Sequence, residues 1–251
     1  MDNARLTDHL HREYALLHAA VASADPGSPV PTCPGWTVSD LAGHVAEVYL
    51  HKAECIRLRA FPDPWPPERP AVPPTAELET AWARLLEQFA THEPTDPAAT
   101  WHDPDQTVGF WIRRMAQETA VHRIDAQLAA GVTVDPIPDD LAEDGVDELL
   151  TLFVAYASEH WPGGFAGVLA GADRRPVRVT AGSGSWLVTI EEDAARVVPT
   201  SADAPAAAQV TGDAGAMARW LWGRGGEEAV TVGGDQPLVD QLRRVIVAGT
   251  Q

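Results

Sequence analysis

Apolar residues recur mostly three, four or seven apart over Arg5–Ala24, placing Leu6, Leu10, Leu17 and Val21 on one face. This spacing predicts an amphipathic helix. The prolines of DPGSPVPTCPG then forbid helix. Thr37-Val38-Ser39-Asp40 has the form of a capping box with Asp in place of the usual Glu, and opens a second helix to about Arg59. FPDPWPPERPAVPP predicts an extended surface loop. A third helix follows over Thr75–His92, with Leu78, Trp82, Leu85, Leu86 and Phe89 as its stripe. The fourth spans Thr107–Ala130 and stops at Gly131; a fifth spans Asp139–His160. After WPGGFAG the pattern changes. PVRVTAG, SWLVTIEE, ARVVPT and AAQVTG are short β-branched segments ending at Gly, Pro or acidic residues, and read as strands. AGAMARWLWGR is helical, AVTVGGD a further strand and PLVDQLRRVIVA a last helix. Helices first and a mixed set second predict a mainly α unit over residues 1–160 and a smaller α+β unit over 161–251.

Charge supports this division. Residues 1–165 hold 26 acidic against 10 basic side chains, the remainder 10 against 8, and all nine histidines lie at or before His160. A net charge of −18 argues against nucleic-acid binding, which needs clustered positive charge. A chain of 251 residues folds without a disulfide or metal, so any metal site is free for chemistry. Cys33 and Cys55 form no disulfide framework, which fits a reduced, cytoplasmic setting. The N-terminus lacks the apolar stretch of a signal peptide, and no apolar run approaches a membrane span. One lysine stands against 17 arginines, as a GC-rich coding bias produces.

The fourth helix carries the main chemical signal. Glu118 and His122 are four apart and share a face with Trp111 and Met115, so the pair points inward. A buried carboxylate is costly unless it is paired or metal-bound. Asp125, three beyond His122, is placed to accept the ring's other N–H and set its tautomer. A lone E-x-x-x-H also arises by chance on solvated helices. On the second helix His44 lies beside the apolar Leu41, Val45 and Val48, while Glu47 and His51 are rival ligands at i+3 and i+7. His44, Glu118 and His122 together make a His₂Glu set, whose fourth position stays open as in catalytic zinc sites. Cys33 and Trp36 read as packing residues of the turn, and Trp220 and Trp222 as core or interface.

VPTCPGWTVSDLAGHVAEV (30–48), QETAVHRIDA (117–126) and VTGDAGAMARWLWGR (210–224) resemble, in order, three signatures of the mycothiol-dependent maleylpyruvate isomerase family. The resemblance implies a DinB-like, up-and-down four-helix bundle followed by a sterol-carrier-like α+β domain. It implies a divalent metal, normally zinc, on His44, Glu118 and His122, and mycothiol as thiol cosubstrate. It also implies a catalytic arginine in the second domain, for which Arg224 is the candidate and Arg219 the rival. The expected activity is that of an isomerase or S-transferase in which a metal-bound thiolate attacks a small electrophile, carboxylate-bearing in the isomerase case. Two other readings stay open: a hydrolase using metal-activated water, and a small-ligand binding protein without catalysis. Family and fold alone do not choose the electrophile.

Overall fold

The computed structural model describes residues 1–68 and 71–250. Arg69 and Pro70, in the predicted proline-rich loop, lie outside the described residues, as does Gln251. No helix among the described residues is long and apolar enough to cross a membrane.

The chain divides into two compact units, Met1–Asp135 and Pro136–Gln251. The first holds helices α1 (Asn3–Ser23), α2 (Val38–Leu58), α3 (Pro74–Thr91) and α4 (Val108–Ala129). Each starts within two residues of the position read from sequence. The reason is local: Asp2, Thr37 and Thr107 cap α1, α2 and α4 through their side chains, and Pro74 opens α3. The capping box on α2 is present in both directions, with Asp40 N–H donating to Thr37 Oγ1 at 3.2 Å and Thr37 N–H to Asp40 Oδ2 at 2.9 Å. Thr37→Ala is expected to lower stability by about 1 kcal/mol in chemical denaturation. Gly131 ends α4 in the left-handed region at φ 66°, which a side chain disfavours.

The main packing pairs in this unit are α1 with α4, α2 with α3, α2 with α4 and α1 with α3. Leu10, Leu17, Leu41, Leu78, Trp111 and Met115 are among its fully buried side chains. Tyr14 stacks on Trp82 with ring centroids 4.0 Å apart, fixing α1 on α3. Between α1 and α2 the chain tightens into a small knot: Val30 N–H donates to Trp36 O, Cys33 N–H to Val30 O and Trp36 N–H to Cys33 O. Gly35, at φ 85°, makes that turn possible.

The second unit contains α5 (Asp139–Glu148), a π-helical segment (Leu149–Tyr156), α6 (Ala157–His160), the one-turn α7 (Ala166–Leu169), α8 (Ala214–Leu221) and α9 (Gln236–Thr250). These pack with a five-stranded sheet of order β3-β2-β1-β4-β5. The strands are β1 (Val177–Ala181), β2 (Gly184–Ile190), β3 (Ala195–Pro199), β4 (Ala208–Gly212) and β5 (Thr231–Gly234). β1 pairs parallel with β4, and all other pairs are antiparallel. Two expectations change here. The boundary falls after Asp135 rather than at 160, because the fifth helix packs on α8 and binds the β1–β2 hairpin. Glu143 accepts from Ser183 N and Oγ at 2.7 and 2.8 Å, and Asp147 accepts from Trp186 Nε1 at 2.9 Å. The fifth helix is also not uniformly α. Leu149, Leu150, Leu152, Val154 and Tyr156 are all buried, too wide a set for one α-helical face, and the wider π turns present the run to both α9 and β3.

Candidate metal centre

α2 and α4 are not consecutive in sequence, yet they are packing partners, and their seam gathers the chemical side chains. Single donor atoms of His44, Glu118 and His122 lie within 4.8 Å of one another. Glu118 Oε1 is 3.3 Å from the Nε2 of both His44 and His122. Asp125 is fully buried, and its Oδ2 stands 2.9 Å from His122 Nδ1. An ionised carboxylate only accepts, so Nδ1 carries the proton and donates. Protonated, the ring also donates from Nε2 to Glu118 Oε1; deprotonated there, it turns a lone pair toward the cluster. His44 Nε2 faces the same Glu118 oxygen, so the imidazoles either donate hydrogen bonds to it or, with both Nε2 atoms deprotonated, present three lone pairs to one cation. This donor set fits a first-row divalent metal with a position left for a further ligand.

The surroundings hold the set in place. Arg114, buried one turn before Glu118, donates from Nη2 to Glu118 Oε2 at 2.5 Å and leaves Oε1 facing the imidazoles. Thr32 donates to Asp125 Oδ1 at 2.5 Å, and Cys33 Sγ lies 3.6 Å from Asp125 Oδ2. Trp36 rests against His44 with ring centroids 4.8 Å apart. The knot before α2 therefore buttresses the ligands as well as packing. Cys33, His122 and Asp125 make a second metal-capable group sharing His122.

Burial opposes the charging of His122, but hydrogen bonds and charge from Asp125 and Glu118 prevail and raise its pKa to about 9. Burial likewise opposes ionisation of Glu118, yet His122, His44 and Arg114 hold its carboxyl well below the usual range. Without metal, a raised histidine contributes stability that is complete below its unfolded pKa near 6.5 and lost as pH rises through about 9. The depressed Glu118 contributes above about 4.5, and that is lost as pH falls further. Metal ligation has the reverse dependence, because the imidazoles must shed their protons. Chelated protein should therefore lose Tm between about pH 6.5 and 9, while zinc addition raises Tm most at the alkaline end. Thermal scans on both forms check this, and parallel pH profiles would contradict it.

The rival ligands stay outside the cluster. Glu47 is exposed, and His51 Nδ1 faces Lys52 Nζ at 3.0 Å and Cys55 Sγ at 3.5 Å. In the second unit Arg224 Nη1 donates to Trp222 O at 2.6 Å, and Arg219 donates to Arg224 O from Nε at 3.2 Å and Nη2 at 3.1 Å. Both arginines thus engage carbonyls at the C-terminal end of α8, where cations are favoured. Sequence reading missed Thr32 and Arg114. Arg114 had a signal, its i,i+4 spacing to Glu118; Thr32 had none.

Two family models together match most of the chain. The mycothiol maleylpyruvate isomerase N-terminal domain matches residues 7–127, and the corresponding C-terminal domain matches residues 140–241. The chain belongs to the mycothiol maleylpyruvate isomerase family. Solved structures agree on the fold of this family member. A crystal structure of a histidine-to-alanine mutant of the mycothiol-dependent maleylpyruvate isomerase is similar at TM-score 0.61 and 14% identity, over 93% of each chain. A second crystal structure of mycothiol-dependent maleylpyruvate isomerase gives TM-score 0.59 and 16% identity, again over 93% of each chain. A sequence search of curated proteins returns no match. The match over residues 7–127 contains His44, Glu118, His122 and Asp125.

Proposed function

We propose that the chain is a metal- and mycothiol-dependent enzyme, an isomerase or S-transferase acting on a small electrophile. The observation that carries this reading is the convergence of His44, Glu118 and His122 within 4.8 Å, with His122 Nδ1 engaged by Asp125. A divalent metal bound there, zinc by family resemblance, supplies deprotonation of a thiol, and the thiolate is the nucleophile.

The chain's own residues do the rest. His44, Glu118 and His122 present three ligand atoms. Asp125 holds a proton on His122 Nδ1, so Nε2 is the nitrogen that would ligate a metal. Arg114 keeps Glu118 ionised and turns Oε1 inward. Trp36 covers the His44 ring. A thiolate adding to one carbon of a cis alkene forms a C–S bond and leaves a single bond free to rotate. Expulsion of the thiolate then breaks the C–S bond, gives the trans alkene and regenerates the thiol. In a transferase the adduct takes up a proton and leaves. Arg224 is the proposed arginine for substrate charge, carried over from its family motif.

The test is turnover of maleylpyruvate and simple electrophiles by zinc-loaded protein, with and without mycothiol. Turnover that needs both thiol and metal supports the reading. Turnover without thiol would favour activated water, and ligand binding that persists after chelation with no turnover would favour a binding protein.

A further inference from the structure

Lys52 is the one lysine of the sequence, and it sits in the same α2–α4 seam. Its Nζ lies 4.8 Å from the centroid of the Trp111 ring and 3.0 Å from His51 Nδ1. An ammonium only donates, so His51 offers Nδ1 as a lone pair. Among the described residues no carboxylate forms an ion pair with Lys52. Burial lowers its pKa first of all and Arg114 adds to this, while Cys55, Glu118 and Glu47 favour its charged form. Glu47 is exposed, and Glu118 already receives Arg114 and faces two imidazoles.

Trp111 precedes Glu118 by seven residues, about 10 Å along the axis of α4, and lies on the same face, while Lys52 follows His44 by eight residues on α2. Phe61 and Trp65 flank its neighbour His51, with ring centroids 6.1 and 4.9 Å away. The seam thus runs from the His₂Glu set, past buried Arg114, to a half-buried ammonium resting on an indole face. An ammonium in direct contact with an aromatic ring and a neutral imidazole, with carboxylates near but none in ion-pair contact, is only partly compensated for its desolvation. An incoming anion completes it.

We infer that Lys52 anchors a carboxylate of the electrophile, so that a short carboxylate-bearing substrate spans from the metal end of the seam to this ammonium. This rests on the reading of the seam as the reaction site. In a chain with net charge −18, a carboxylate needs such a local cation to enter. Lys52 is here a specificity residue that binds the substrate away from its reacting carbon.

A single lysine makes the test direct, because ¹³C,¹⁵N-lysine labelling of the full chain reports one side chain. Titration of zinc-loaded protein with maleate should shift the Lys52 Cε and Hε signals saturably, while the neutral diamide of maleate leaves them in place. Lys52→Met should weaken maleate binding at least tenfold, keep the metal content, and leave Tm unchanged or raised. Lys52→Arg should restore part of the binding. For a carboxylate-bearing electrophile Lys52→Met should raise KM at least tenfold with little change in kcat, and a neutral electrophile should show no change. Unshifted signals, equal maleate binding by Lys52→Met, or a lowered Tm with binding intact would each overturn the anchor. The two ideas separate cleanly: maleate binding at Lys52 without thiol-dependent turnover keeps the anchor and removes the proposed activity. Thiol-dependent turnover with an unchanged KM in Lys52→Met does the opposite.

Discussion

His122→Ala is expected to strip the centre of metal and to lower thiol-dependent kcat/KM by about three orders of magnitude, roughly 4 kcal/mol of transition-state stabilisation. The magnitude follows from what the residue does. It offers one of the three proposed ligand atoms and also carries the Asp125 contact that orients its ring. Removing it leaves two donors from different helices and a buried Asp125 without its imidazole, though Thr32 and Cys33 still reach that carboxylate. Glu118→Gln should lose metal as completely, because the amide has no charge to offer and Arg114 is left facing it. Elemental analysis of purified protein reads the metal, with about one zinc per chain expected for wild type. Circular dichroism shows whether the fold survives. Full zinc occupancy in a folded His122→Ala protein would sink the His₂Glu assignment, and the Cys33–Asp125 side would become the site to test.

Arg123→Met is expected to destabilise the chain by about 3–5 kcal/mol, a loss unrelated to metal. Arg123 and Glu13 are completely buried, and Arg123 Nε donates to Glu13 Oε2 at 2.7 Å. Its Nη1 also donates to Gln127 Oε1 at 3.0 Å and Asp135 O at 2.6 Å. Removing the arginine leaves the Glu13 charge buried without its partner, which is the expensive half of breaking such a pair. The double change Glu13→Leu with Arg123→Met should recover most of the loss, since a packed apolar pair avoids both desolvations. Urea denaturation with an unchanged m-value measures both. A loss under about 1 kcal/mol for Arg123→Met would mean that water reaches the pair.

This pair shows where sequence reading stops. Glu13 and Arg123 are 110 residues apart, and nothing in the local spacing of either announces the other. The centre was more legible, because Glu118, His122 and Asp125 share one helix, and helical geometry alone puts them on one side. His44 was reachable only as one histidine on an apolar face, and it is the packing of α2 on α4 that brings it within 4.8 Å of Glu118 and His122. Helix starts were read closely because caps and prolines are local signals. The π turns at Leu149–Tyr156 were not, since a crowded apolar run reads as buried helix of any pitch. The unit boundary was misplaced for a related reason. The affinity of the fifth helix for α8 and the β1–β2 hairpin is tertiary, and composition cannot express it.

Consecutive residues of α4 work in opposite directions: His122 turns to α2, Arg123 to α1. The helix is therefore pinned from two sides, like an axle keyed at both bearings. Substitutions on its remaining faces leave the keying intact, but a change of length does not. Deleting one residue between Arg114 and His122 would rotate the rest of the helix by about 100° and withdraw imidazole and guanidinium together. Across relatives that retain both contacts, length variation should collect in the loops before and after α4, and α4 itself should align without gaps.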